Sequence, residues 1–445
     1  MHIATSKIVA YSTSAALVAL LIARQIGEAQ ISNDYYQLIE WRIFYPGHFI
    51  RRGLRGTLVD WLSHVTTLPP DTLIRWSCTL AYAVLSVLFT VYIFRWLWDR
   101  SRSCIPILLL SPAGFFFYQN AVLSVERMDV FFLLLTVCHL ELCVRSKDEK
   151  TYVALSTVIF ATLGVAGVLS HEAFLLLCMP VNIMLSSWRL GRWDGRLFMI
   201  YAAPAAAACF CIFSHVSVMD IAILSRDLGV PVGSFEWYNG PIFLLAIPVT
   251  RQMEVVRAIF TADAVRPFLG TAILFGAIHF AVLQRPVSAS KSADSAKGWT
   301  HPERLWRDLL WIPFLCTVPM YVVAADYGRW FAMVVATFTI CCARLLQVTK
   351  PVKRSSTFWN LAAIVVFIFV PMPLSLRFPN SSPQLLSWTG AAILGRFFGP
   401  PRRPNLEGNP TGATRALRER KGTLSNAPGQ KRDADLPRQP NRRIV

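Results

Sequence analysis

The sequence predicts an all-α fold: a polytopic transmembrane bundle of about eleven or twelve spans with its N-terminus in the cytoplasm. Three observations carry that expectation. Mean hydropathy over the chain is +0.45. Only 16% of the 445 residues are charged, where a soluble globular protein carries about 25%. Apolar runs of roughly 17–25 residues, enough to cross a bilayer, recur along most of the length.

The first run, 8–26, exceeds the usual 7–15-residue apolar core of a signal peptide, and no clear small-x-small cleavage site follows it. It reads as a first transmembrane helix. Further runs lie at 76–96, 103–119, 129–144, 152–170, 172–188, 197–218, 268–284, 308–325, 330–347, 357–373 and 384–399. The piece 241–250, bounded by Pro241 and Pro248, is too short to span and reads as re-entrant or interfacial. Segments 286–307 and 400–445 are rich in Ser, Lys, Arg, Pro and Gly without helical apolar periodicity. They read as a flexible loop and a disordered basic cytoplasmic tail. The organisation is thus a membrane domain over 1–399 followed by the tail.

Lysines orient the bundle. With the N-terminus inside, all nine of them (Lys7, Lys147, Lys150, Lys291, Lys297, Lys350, Lys353, Lys421 and Lys431) fall in cytoplasmic segments. So do Arg95, Arg100, Arg102, Arg189, Arg192 and Arg196. The net charge of +18 has the same origin. From Arg396 onward there are 12 Lys+Arg against 4 Asp+Glu, and much of the remainder sits in short loops. Contact with anionic lipid is the expectation, and nucleic acid is not an expected partner. The ten cysteines lie in or at the ends of apolar runs with neither CxxC nor a Cys/His metal spacing, so neither a disulfide framework nor a zinc site is expected.

In this topology the outer segments are 27–75, 119–129, 170–172, 219–266 and 326–330. The first holds Asp34, Glu40, Trp41 and then Arg51, Arg52 and Arg55 in the run FIRRGLRG. Glu126, Arg127 and Asp129 follow in the second, His171 and Glu172 in the third, and Asp326 and Arg329 in the fifth. Every outer basic residue is an arginine. A guanidinium keeps its charge when partly dried and offers a planar fork matched to phosphate or carboxylate. Two readings of these arginines stand side by side: phosphate binding, or internal pairing with Asp34, Glu40, Asp129 or Asp326. RRGLRG also reads as an amphipathic interfacial helix.

Carboxylates, arginines and aromatics on an outer face, without a nucleotide-binding domain, fit a substrate delivered through the membrane. A sugar on a polyprenyl phosphate is such a substrate. Its transfer to a hydroxyl needs a carboxylate base and fixed positive charge on the departing phosphate. Asp34 is the first candidate base and Glu40 the second, while His171 would assist proton transfer or orient the acceptor. Arg51, Arg52, Arg55 and Arg329 are the phosphate-binding candidates, and Glu126, Arg127, Asp129, Glu172 and Asp326 complete the substrate-binding set.

An acidic residue just after the first span, followed by ten or so helices, resembles the GT-C class of membrane glycosyltransferases. The resemblance covers the span layout of about 1–399 and rests on Asp34 and Glu40. It implies a lipid-phosphate-sugar donor, an external active site and inversion at the sugar carbon. No adjacent DxD or ExD pair stands in this loop; Asp34 and Glu40 are six apart. No cofactor is therefore assigned, and a divalent metal is the candidate if one is used. The alternatives are a polysaccharide polymerase or ligase acting on lipid-linked repeats, a secondary transporter, and a non-catalytic membrane partner. A bacterial cytoplasmic membrane is the expected location.

Overall fold

A computed structural model describes residues 35–46, 49–99, 126–191, 194–214, 216–234, 240–247, 249–259, 262–287, 302–323 and 327–349, with isolated positions such as Trp237 and Ala363. Asp34, Asp326, the predicted span 384–399, nearly all of 8–26, 103–119 and 357–373, and the tail 400–445 lie outside the described residues. Among the described residues every regular element is a helix.

The chain opens with two short helices, α1 (Tyr35–Trp41) and α2 (Gly53–Thr66), then the long α3 (Pro70–Asp99). Next come α4 (Asp129–Arg145) and α5 (Glu149–Ser170). After His171 and Glu172 the predicted span 172–188 is broken into α6 (Ala173–Leu177) and α7 (Met179–Arg189). Pro180 is the cause. It lacks the N–H that a continuous helix would direct at residue 176, and its ring crowds that carbonyl. Beyond it lie α8 (Gly195–Phe213), α9 (Val218–Asp227), α10 (Pro241–Ala246), α11 (Val249–Ile259), α12 (Ala262–Val287), α13 (Pro302–Val323) and α14 (Tyr327–Thr349).

Three of these helices are long and apolar enough to cross a membrane: Pro70–Ile93, Glu149–Ser170 and Gly195–Phe213. In the most apolar stretch of α5 and of α8 only 28% of the residues are buried. Leu155, Val158 and Leu163 on α5, and Phe198, Met199, Ile212 and Phe213 on α8, stand exposed. Apolar surface on this scale is costly in water and suits lipid. The chain therefore has the character of a membrane protein.

The centre of the bundle is α14, in which every residue from Trp330 to Ala343 is buried. A helix apolar on all sides belongs inside others, and α3, α4, α12 and α13 pack around it. A polar chain runs through the α4–α5–α7–α8 contact. His139 Nδ1 lies 2.8 Å from Asn182 Oδ1, and the Asn182 amide donates to Thr136 Oγ1 at 3.1 Å and to the Cys178 carbonyl at 2.8 Å. Because that amide oxygen can only accept, the ring carries its hydrogen on Nδ1, and Tyr152 OH donates to Nε2 at 2.9 Å. Ser186 Oγ joins Tyr152 OH at 2.6 Å to Tyr201 OH at 2.7 Å. A π-helical turn, Phe160–Gly164, interrupts α5 at this level. It seats the Phe160 ring 5.0 Å from His139 and 4.6 Å from Tyr201. A buried polar network satisfied in this way specifies one packing of its helices.

Contacts across the sequence sort the helix ends. Glu141 on α4 accepts from Tyr92 on α3 at 2.6 Å and from Arg344 on α14 at 2.7 Å. At the same end Arg189 donates to the Ser146 carbonyl and Arg196 to Glu149. The opposite end of the bundle gathers α1, the N-terminus of α2, residues 126–129, the α5–α6 turn and the start of α14.

Candidate functional site

The site grows from α1. All five residues from Gln37 to Trp41 are buried, so Glu40 points inward. A buried carboxylate needs compensation, and the arginine run supplies it. Gly56 lets α2 lie directly on residues 42–43, since a Cβ there would stand 2.0 Å from the Ile43 carbonyl oxygen. Gly53 lies under the Tyr45 ring, at 2.3 Å from where its Cβ would be. With α2 held so close, Arg55 Nη2 donates to the Glu40 carbonyl at 2.6 Å and stands 3.4 Å from its Oε1. The Arg55 guanidinium also covers the Trp41 ring at 5.4 Å.

Arg52 is the hub. It sits at the N-terminus of α2 with φ 70°, in the left-handed region, which costs a non-glycine residue about 1–3 kcal/mol. From there its Nη1 reaches Glu40 Oε1 at 3.0 Å, while Nε and Nη2 grip Glu172 at 2.7 and 2.5 Å. His171 closes the ring. Its Nδ1 accepts from the Ala173 N–H at 3.1 Å, so the neutral ring bears its hydrogen on Nε2, 3.3 Å from Glu40 Oε1. Glu40 therefore meets three donors on one oxygen.

Burial pushes the Glu40 carboxyl up, but Arg55, His171 and Arg52 outweigh it and hold the group well below its ordinary range. For Glu172, burial again raises and the Arg52 charge and hydrogen bonds lower more strongly, so it too stays ionised far into acid. Arg51 is different. Among the described residues its one hydrogen bond is Nη2 to the Leu244 carbonyl, at 3.4 Å, and it meets no carboxylate in an ion pair. Burial lowers its guanidinium, Glu172 raises it and Arg52 lowers it again, for a net fall. The cluster of Glu40, Glu172, Arg51, Arg52 and Arg55 thus holds three cations against two anions, with the surplus at Arg51.

A second group lies beside the first. Glu126, fully buried, pairs with Arg75 at 3.3 Å, and its backbone carbonyl accepts from Trp41 Nε1 at 2.6 Å. Asp129 at the head of α4 lies 3.3 Å from Arg329 on α14. Arg127, between them in sequence, reaches no carboxylate among the described residues.

The structure thus brings together Glu40, Arg51, Arg52, Arg55, His171 and Glu172 in one cluster, and Glu126, Asp129 and Arg329 in a neighbouring one. Internal pairing accounts for Arg52, Arg55 and Arg329; Arg51 and Arg127 are left by it. Asp220, from the long outer segment, forms a capping box with Ser217 and belongs to neither cluster. Among the described residues no three His, Cys, Asp or Glu side chains are placed to hold a metal ion. Sequence reasoning passed over Arg75 and the His139–Asn182 chain. A lone histidine and a lone asparagine within apolar runs were the available signal. No protein-family model, no curated protein and no solved structure matches the chain.

Proposed function

We propose that the protein is a multi-pass membrane glycosyltransferase of GT-C type, with its N-terminus in the cytoplasm and its site on the opposite face. In this reading it moves a sugar from a lipid-phosphate donor to an acceptor hydroxyl. One observation carries it: a half-buried guanidinium, Arg51, that meets no carboxylate among the described residues, beside the Arg52–Glu40–Glu172 cluster at one end of a lipid-suited bundle. Such a place suits one anionic group brought by a membrane-soluble molecule, and a guanidinium fork matches phosphate.

The chemistry divides among the residues. The acceptor oxygen forms a bond to the anomeric carbon as the bond from that carbon to the phosphate oxygen breaks. The phosphate leaves with the electron pair, and Arg51 stabilises its charge. A base takes the hydroxyl proton. Glu40 is poorly suited to that task, because two arginines and His171 hold it as a weakly basic anion. Its part is to fix Arg52 and Arg55. His171 has both ring nitrogens engaged and orients Glu40. Asp34 remains the candidate base. A secondary transporter would need an open polar site within the bundle; among the described residues the polar chain around His139 is filled by its own hydrogen bonds.

The test uses purified wild type, Asp34→Asn and Arg51→Ala with radiolabelled polyprenyl-phosphate sugars and lipid acceptors. Transfer by wild type, abolished in Asp34→Asn with donor binding intact and weakened in Arg51→Ala through binding, supports the reading. Folded wild type that neither binds nor turns over any lipid-phosphate sugar overturns it. Transfer only of preassembled lipid-linked oligosaccharides would move the protein to the polymerase or ligase class.

A further inference from the structure

We propose that α2 lies in the plane of the membrane interface, with one stripe in the bilayer and one edge in water, so that its partner is the lipid surface itself. The helix has three faces. Arg55, Gly56 and Val59 turn into the protein and are buried. Leu58, Trp61, Leu62 and Val65, at i, i+3, i+4 and i+7, form an exposed apolar stripe, with Trp61 59% and Val65 63% accessible. Asp60 and His64, four apart, form the third face, with side chains 64% and 81% accessible. Burial thus holds one face, and the other two sort cleanly into oil and water.

Length decides between crossing and lying flat. Fourteen residues rise about 21 Å, short of the roughly 30 Å hydrocarbon core. Continuity decides what covers the stripe. Helix α2 packs on α3, to which residues 67–69 connect it. Helix α3 carries its own exposed apolar row, Trp76, Leu80, Val84, Val87 and Val91, on a helix long and apolar enough to cross a membrane. The surface that wets that row therefore continues along α2. Tryptophan in the stripe suits the headgroup boundary, where an amphipathic ring is favoured. A basic or acidic stripe would have argued for a soluble partner; this one carries no charge.

The placement has a consequence for the neighbouring cluster. Arg52 stands at the N-terminus of α2, so a helix in the interface sets Arg51, Arg52 and Glu172 at headgroup depth, where the phosphate of a membrane lipid also lies. The inference rests on the membrane character of the chain alone and holds whichever reaction the cluster performs.

The experiment places the photoreactive residue p-benzoyl-phenylalanine at 58, 61, 64 or 65, or at 60, in the full chain. Each variant is reconstituted in phosphatidylethanolamine–phosphatidylglycerol vesicles, irradiated and analysed by mass spectrometry. Lipid adducts from 58, 61 and 65 at several times the yield from 60 and 64 are expected. Equal lipid yield from both sets overturns the proposal, as do adducts from 58, 61 and 65 to a second copy of the chain in place of lipid. Elution as a single species and an unchanged Tm establish that each variant folds. Should the probe at 61 disturb folding, 58 and 65 read the same face.

Discussion

Replacing Glu40 by Gln keeps the shape of the side chain and removes its charge, which isolates what the carboxylate does. In the wild type Oε1 meets Arg52 Nη1 at 3.0 Å, His171 Nε2 at 3.3 Å and Arg55 Nη2 at 3.4 Å. Hydrogen bonds to charged groups contribute about 1.5–3 kcal/mol and neutral ones about 0.5–1.5. Arg52 retains Glu172 after the change. Arg55, only 3% exposed, retains just the Glu40 backbone carbonyl. Breaking a buried pair from one side costs about 3–5 kcal/mol, and the surviving contacts place Glu40→Gln near the bottom of that range, at about 3. At roughly 2–4 °C per kcal/mol, Tm should fall by on the order of 10 °C. The assay is tryptophan fluorescence in detergent at one fixed scan rate, since unfolding of such a chain is commonly irreversible. Adding Arg55→Met removes the stranded charge, so the double variant should recover part of the loss. A Glu40→Gln Tm within about 1 °C of wild type, or a double variant whose losses simply add, would refute the account of this cluster.

Four further outcomes follow from the same geometry. Arg51→Ala should leave Tm unchanged and weaken binding of a lipid phosphate by about 1.5–3 kcal/mol, roughly 10- to 150-fold, in a direct binding titration. Gly56→Ala drives a methyl into the Ile43 carbonyl and should cost about 3 kcal/mol or more, seen as loss of monodisperse protein on size exclusion. Asn182→Leu strands the Nδ1 hydrogen of His139 inside the bundle and should lower Tm by the equivalent of about 2–3 kcal/mol with Arg51-dependent binding preserved. The carboxyls of Glu40 and Glu172 are held below their ordinary 4.5. Their stabilisation is therefore complete above pH 4.5 and lost as pH falls from there toward the folded values. A Tm series on the acid side of that point should slope downward, less steeply in Glu40→Gln.

Apolar run length carried much of the helical layout. Predicted runs 76–96, 129–144, 152–170 and 330–347 coincide with α3, α4, α5 and α14, because a helix-length apolar segment has few other ways to satisfy its backbone in lipid. The predicted span 172–188 is also helical, with a break at Cys178 ahead of Pro180, where a local donor is missing. Sorting charges by side also placed Glu40, Arg52, Arg55, His171 and Glu172 on one face, and the fold does bring them into one cluster. Composition and periodicity can do that much because they depend on what each segment must bury.

Partnership was beyond their reach. Arg52 binds Glu40, 12 residues away, and Glu172, 120 away; Arg329 meets Asp129 across two hundred residues. Which arginine is paired among the described residues depends on distances of a few tenths of an ångström among side chains from different helices. The glycines beneath Tyr45 and beside Ile43 set those distances, as does the left-handed turn at Arg52. By itself, then, the sequence determined that this chain is helical, lipid-suited and basic with arginine at one end. Only the tertiary structure decided that Glu40 is a fixed anion and that Arg51 meets no carboxylate among the described residues, since charge compensation is a property of neighbours in space.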